Sequence, residues 1–176
     1  MGIRSMLKTW SYRKRVSGWE MRPGCALEVE LAPPAVNGLL LGSHMESARC
    51  FGSPDGVELV DFASDYVRLE FRQHGLVLEY EHDQLIYIGI LVSPLDDVPP
   101  RPDVTPACAS IRGQGDLALS CETTAEDIVR AIGNPVDADL DAGECVLNHE
   151  IGGTTVETEY THEGRLKRLN LFPTPT

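Results

Sequence analysis

Residues 131–135 read AIGNP, and residues 50–54 read CFGSP. Each phrase closes a short apolar stretch with glycine, one small polar residue and proline. Glycine stops helices because it tolerates the left-handed backbone other residues resist, and the proline that follows prevents the helix from resuming. An acidic turn and strand-like sequence follow both phrases. Written twice, the pattern implies a duplication.

Upstream of the first phrase, SHMESARCFG (43–52) opens with Ser43 and places Glu46 three residues later. That is the capping-box spacing, in which each side chain satisfies an orphan amide of the first helical turn. Upstream of the second, TTAEDIVRAIG (123–133) offers the same pair as Thr123 and Glu126, or one residue later as Thr124 and Asp127. Ala125, Ile128, Val129 and Ile132 then form the i, i+3, i+4, i+7 stripe of one buried helical face. Helices this short are not stable alone and are expected to lie on a sheet.

Downstream of the first helix come VELVD (57–61), DYVRLEF (65–71), LVLEY (76–80) and LIYIGILV (85–92). Downstream of the second come ADLD (138–141), ECVLNHEI (144–151), TVETEY (155–160) and RLKRLNLF (165–172). Val67, Leu69 and Phe71 alternate with Arg68, Glu70 and Arg72, the period-two pattern of a half-buried antiparallel strand. The polar breaks between strands have hairpin length. Tyr80-Glu81-His82-Asp83 is echoed by Tyr160-Thr161-His162-Glu163, 80 residues on.

The expected fold is therefore α+β, with two tandem repeats. Each is a short helix followed by an antiparallel meander of about four strands, with the helices on one face. Repeat one spans 37–92 and repeat two 115–176. Residues 1–36 form a basic N-terminal segment with one added strand, CALEVEL (25–31), and LALS (117–120) takes the equivalent place before the second helix. Residues 93–114 form a Pro-rich linker, because the five prolines between 94 and 106 forbid helix and central strand.

A capped helix ending in Gly-x-Pro and a four-strand meander, written twice, resembles the tandem repeats of β-lactamase-inhibitor-protein-like domains. A single repeat is similar to the small lipoproteins of outer-membrane assembly. The resemblance rests on LLLGSHMESARCFGSPD (39–55), the strand order after it, and the second copy. It implies a sheet with one face covered by helices and the other free to bind a protein. The inhibitor proteins carry disulfides and the lipoproteins a lipidated cysteine after a signal. Neither pattern is visible here, so inhibition of β-lactamase is not implied.

With 42% apolar and 24% charged residues, the composition is that of a soluble globule. The first residues contain no continuous apolar stretch of signal-peptide type, so a cytoplasmic location is expected. The five cysteines show no CxxC pair, which points to reduced, mostly buried thiols rather than a disulfide framework or zinc knuckle. Within residues 1–24, six cations stand against Glu20 alone, a net of +5, so the rest of the −12 chain carries −17. Such a body repels nucleic acid phosphates and favours a basic protein partner.

No Walker loop, Rossmann glycine fingerprint, G-x-S-x-G or HExxH occurs, and no cofactor or metal is expected. His82–Asp83 and His162–Glu163 fall where hairpin turns are expected, and turn polarity accounts for them. In LIYIGILV, Ile86, Ile88 and Ile90 are expected to pack under the helix, leaving Tyr87, Gly89 and Leu91 on the other side. The expected protein-binding face carries Arg68, Val77, Glu79, Tyr87, Glu157, Glu159 and Arg168. Tyr and Arg are residue types that interfaces favour. The reading is a non-catalytic protein-binding module of inhibitor or immunity type. The alternative is a small-ligand-binding protein or an enzyme whose site is assembled in space, which would show as a deep pocket with convergent polar groups.

Overall fold

The computed structural model describes residues 3–22, 24–61, 65–93, 104–112, 116–141 and 144–175. Helix α1 (Ile3–Val16) is followed by strands β1 (Leu27–Leu31), β2 (Pro34–Val36) and β3 (Leu39–Leu40). A 3₁₀ helix (Met45–Phe51) leads into β4 (Gly56–Asp61), β5 (Tyr66–Phe71), a 3₁₀ turn (Arg72–His74), β6 (Leu76–Glu81) and β7 (Gln84–Leu91). After the proline-rich stretch come β8 (Ala109–Arg112), β9 (Leu117–Leu119) and helix α2 (Ala125–Ile132). Strands β10 (Asp137–Asp141), β11 (Glu144–Ile151), β12 (Thr154–Thr161) and β13 (Leu166–Pro173) complete the chain.

The protein is an α+β fold in which strands dominate. One sheet has eight strands in the order β10-β11-β12-β13-β7-β6-β5-β4, with every neighbour antiparallel. Strands β4–β7 and β10–β13 each run as a meander, and they meet edge to edge where β7 pairs with β13. The second sheet, β3-β2-β1-β8-β9, is antiparallel except for the parallel β1–β8 pair. Its buried residues Leu27, Val29, Val36 and Ile111 belong to one hydrophobic cluster with the inner face of the large sheet.

That inner face follows the alternation in the sequence. One row crosses seven strands as His149, Val156, Leu171, Ile88, Leu78, Leu69 and Val57, all on one side because paired residues share a face. Among the described residues three register shifts interrupt the pattern, one between Leu59 and Asp61 at the β4 edge and two at matching places in the meanders. Glu79 opposes Tyr87 and Tyr80 opposes Leu85, so Ile86 is the extra residue of a bulge. Glu159 opposes Arg168 and Tyr160 opposes Leu166, so Lys167 is the extra residue of the other. Tyr80 and Tyr160, one beside each bulge, are both buried on the inner side. The bulge corrects the expectation for Ile86: it is half-buried, and Leu85 takes the core position.

Several local expectations are also corrected. The helix expected after Ser43 is the 3₁₀ helix Met45–Phe51, with His44 at its N-cap and no side-chain cap. Ser43 is occupied differently, its carbonyl accepting from the Leu85 amide, and Glu46 turns to Arg15. The second helix does carry the capping box, in the later of its two settings, Thr124 with Asp127. Gly52 (φ 87°, ψ −160°) and Gly133 (φ 110°, ψ −179°) are not left-handed helical. Both occupy the positive-φ, extended-ψ region that is essentially reserved for glycine. Strand β8 lies inside the stretch expected to be linker, and residues 94–103 of that stretch fall outside the described residues. The thiols are free but not mostly buried: Cys50 and Cys108 are exposed, and the other three are intermediate.

Candidate functional site

The other face of the large sheet is mainly polar. The register places Asp137, Asn148, Glu157, Asn170, Gly89, Val77, Glu70 and Gly56 in one row across all eight strands. A second row runs Asp139, Val146, Glu159, Arg168 and Leu91. At the middle of the face is a groove of about 350 Å³, walled by β5, β6, β7 and β13, with Arg72, Gly75 and Val104 at its margin.

The groove forms around the seam of the two meanders. Gly89 of β7 stands opposite Asn170 of β13. With no side chain at 89, the ring of Tyr87 folds over that position. A Cβ placed there would lie 2.9 Å from the ring, an overlap. The Tyr87 hydroxyl thereby reaches Asn170 and donates to Oδ1 at 2.7 Å. Asn170 is 2% exposed, and its Nδ2 donates to Glu157 Oε1 at 2.8 Å and Glu159 Oε1 at 2.7 Å. An amide can accept with its oxygen and donate twice with its nitrogen, and Asn170 uses all three capacities. Burial, and then the neighbouring charges of Glu159 and Glu79, push the Tyr87 phenol well above its ordinary value.

A second cluster lies on the β5 side. Glu79 is only 6% exposed although it belongs to the outer face. Arg68 covers it, with Nε and NH2 both 2.7 Å from Oε1, and the Tyr66 hydroxyl donates to Oε2. Arg68 also lies 3.6 Å from Glu58. Burial, followed by the hydrogen bond to Glu79, pushes the Tyr66 phenol up to about 12. A carboxylate this buried is tolerated because its charge is paired and its lone pairs are filled. Arg72 pairs with Glu70 at 3.1 Å, and Arg168 lies 4.0 Å from Glu159.

Five of the expected face residues, Arg68, Val77, Glu79, Tyr87 and Arg168, line the groove together. Glu157 and Glu159 hold Asn170 from the β12 side. Sequence reasoning missed Asn170 as a functional side chain. Its only signal was an amide inside the alternating strand RLKRLNLF, away from any turn. The burial of Glu79 left no signal, since the alternation pointed it to solvent.

Chemically, the lining offers hydrogen bonds and charges of both signs. No Ser, Thr, Cys, His or Lys lines the groove among the described residues. Tyr66 and Tyr87 have raised phenols, which makes them donors rather than bases near neutral pH. Among the described residues no group of three His, Cys, Asp or Glu is placed to hold a metal ion. His82 and Asp83 form a two-residue turn, each with positive φ, where Asp83 accepts from Arg15 and from the Met45 amide. Buried His74 is a structural group. Its Nδ1 accepts from the Cys25 amide at 3.0 Å, and Nε2 lies 3.1 Å from the Phe51 carbonyl. No helix among the described residues is long and apolar enough to cross a membrane. No family model matches the chain, and no curated protein or solved structure matches it either.

Proposed function

We propose that this chain is a duplicated, non-catalytic protein-binding module of inhibitor or immunity type, and that its partner presents a basic surface to the outer face of the eight-stranded sheet. The observation that carries this reading is the distribution of charge. Asp137, Asp139, Glu58, Glu70, Glu79, Glu157 and Glu159 share that one face through the strand register and outnumber Arg68, Arg72 and Arg168, the arginines that pair with some of them there. Tyr87 and Arg168 sit at its centre, in a groove able to admit a projecting side chain. Acidic potential over a broad face steers a basic protein into encounter and disfavours acidic competitors.

The duplication is part of the proposal. Two meanders joined at β7–β13, bulges at Ile86 and Lys167, and stop glycines in the same rare backbone region support a tandem repeat like that of β-lactamase-inhibitor-protein-like domains. Joining two small sheets doubles the width of the available face.

The test is affinity capture on the immobilised chain, with matched captures on Tyr87→Ala and Arg168→Ala. The expected partner is basic, elutes with moderate salt, and is reduced by either substitution while both variants keep their cooperative unfolding. A partner that ignores salt and both substitutions would sink the reading. A small molecule in place of a protein, displaced by the same substitutions, would move the chain to the ligand-binding class.

A further inference from the structure

We propose that the free edge of β10 is a second interaction site, one that accepts an extended, basic–apolar alternating segment of a partner as a ninth strand. Among the described residues β10 is hydrogen-bonded on one side only, to β11. The opposite edge is protected: α1 packs along β4, and Lys8 of the helix pairs with Asp65 beside it. An open edge is a row of backbone donors and acceptors ready to pair, and strand addition is a common way to recognise extended peptides.

The side chains of β10 say what kind of strand fits. On its inner face, burial fades along one row. Leu166 is 0% exposed, Tyr160 1%, Cys145 intermediate and Leu140 75%. Val136, just before the strand, is 62% exposed. The apolar face of the sheet thus continues one strand beyond its cover. On the outer face the same strand carries Asp137 and Asp139, at the two-residue spacing that puts both on one side. The complementary strand has apolar residues on the inner side and Lys or Arg on the outer, each basic residue meeting an aspartate across the ladder. A second copy of β10 is a poor occupant, because antiparallel self-pairing sets aspartate against aspartate. The site is an edge, separate from the central groove.

The experiment uses the full chain, isotope-labelled, and a nine-residue blocked peptide alternating lysine and valine. Three comparison peptides accompany it: a Glu–Val peptide of the same pattern, a Lys–Val peptide of the same composition in blocks, and the alternating Lys–Val peptide with one edge N-methylated. The alternating peptide is expected to perturb amides 136–141 and slow their hydrogen exchange. The N-methylated peptide, equal in charge but lacking donors on that edge, is expected to bind at least about tenfold more weakly. The exposed double variant Asp137→Lys/Asp139→Lys is expected to switch preference to the Glu–Val peptide, and Leu140→Ser to weaken both. Equal affinity for the alternating, blocked and N-methylated peptides would reduce the effect to bulk charge and overturn the proposal. So would perturbations centred on Arg168 and Tyr87 instead of β10, or no binding at all. A salt-resistant dimer lost in Leu140→Ser would assign the edge to a second copy and overturn it as well.

Discussion

The hydroxyl of Tyr87 donates to Oδ1 of Asn170 at 2.7 Å, joining residues 83 apart in sequence across the seam of the two meanders. Tyr87→Phe keeps the ring and removes the donor, leaving the oxygen of a 2%-exposed amide unsatisfied. The expected cost is about 1–3 kcal/mol, the penalty for orphaning one buried acceptor. The urea midpoint, at unchanged m-value, measures it.

Gly89 makes room for that ring. In Gly89→Ala the new Cβ displaces Tyr87, since 2.9 Å to its Cε1 and hydroxyl is closer than any real contact. The hydroxyl then leaves Asn170, so Gly89→Ala and Tyr87→Phe remove the same interaction. Their double variant is expected to cost clearly less than the sum of the single ones. Full additivity would show that the ring does not depend on the glycine.

Tyr66 gives a spectroscopic readout of the buried carboxylate. Its phenol is pushed up to about 12, first by burial and then by its hydrogen bond and proximity to Glu79. In Glu79→Gln the charge disappears while the burial remains. The expected result is a Tyr66 titration that falls part of the way toward 10. Ring-labelled tyrosine resonances followed from neutral to alkaline pH would resolve it.

His149 is 1% exposed, and neither ring nitrogen makes a hydrogen bond of good geometry. Burial holds its pKa below the usual 6.5, with the nearby Gly133 and Asn134 backbone partly opposing the shift. The native state therefore keeps it neutral, while the unfolded chain takes up a proton near 6.5. Its contribution is fully present above 6.5 and is lost as pH falls below that value toward the native pKa. Denaturant titrations between pH 7.5 and about 5 are expected to show a shallower stability loss in His149→Leu than in the parent. Equal slopes would show that other groups carry the acid sensitivity.

Ile128, fully buried on α2, is the apolar anchor of the second helix. Ile128→Ala is expected to cost about 2–4 kcal/mol, the range for a large-to-small change in a packed core. Glu150→Ala, exposed on β11, should stay within about 0.5 kcal/mol. Similar midpoints for the two variants would mean that the faces are misassigned.

The sequence alone determined where the strands of the large sheet run and, outside the bulges, which way their residues point. Alternation over Val67–Arg72 and Val156–Tyr160 sorts side chains between two faces through geometry local to a few residues, so the eight long strands were legible. A capping box at the second helix was legible for the same reason, being one turn of helix, but in two settings, Thr123 with Glu126 or Thr124 with Asp127, and the structure takes the later. Tertiary structure decided the rest. Only the fold could set β7 against β13, and with that Tyr87 beside Asn170, because register between strands some eighty residues apart is fixed by long-range packing. It also recruited β8 from the proline-rich stretch to pair parallel with β1, a strand more than seventy residues earlier. The bulges at Ile86 and Lys167 override alternation on β7 and β13 and put Leu85 and Leu166 in the core, opposite Tyr80 and Tyr160. Glu79 lies at the limit of what sequence can say. Its direction is local, but its burial depends on Arg68 and Tyr66 arriving from the neighbouring strand to neutralise and satisfy it.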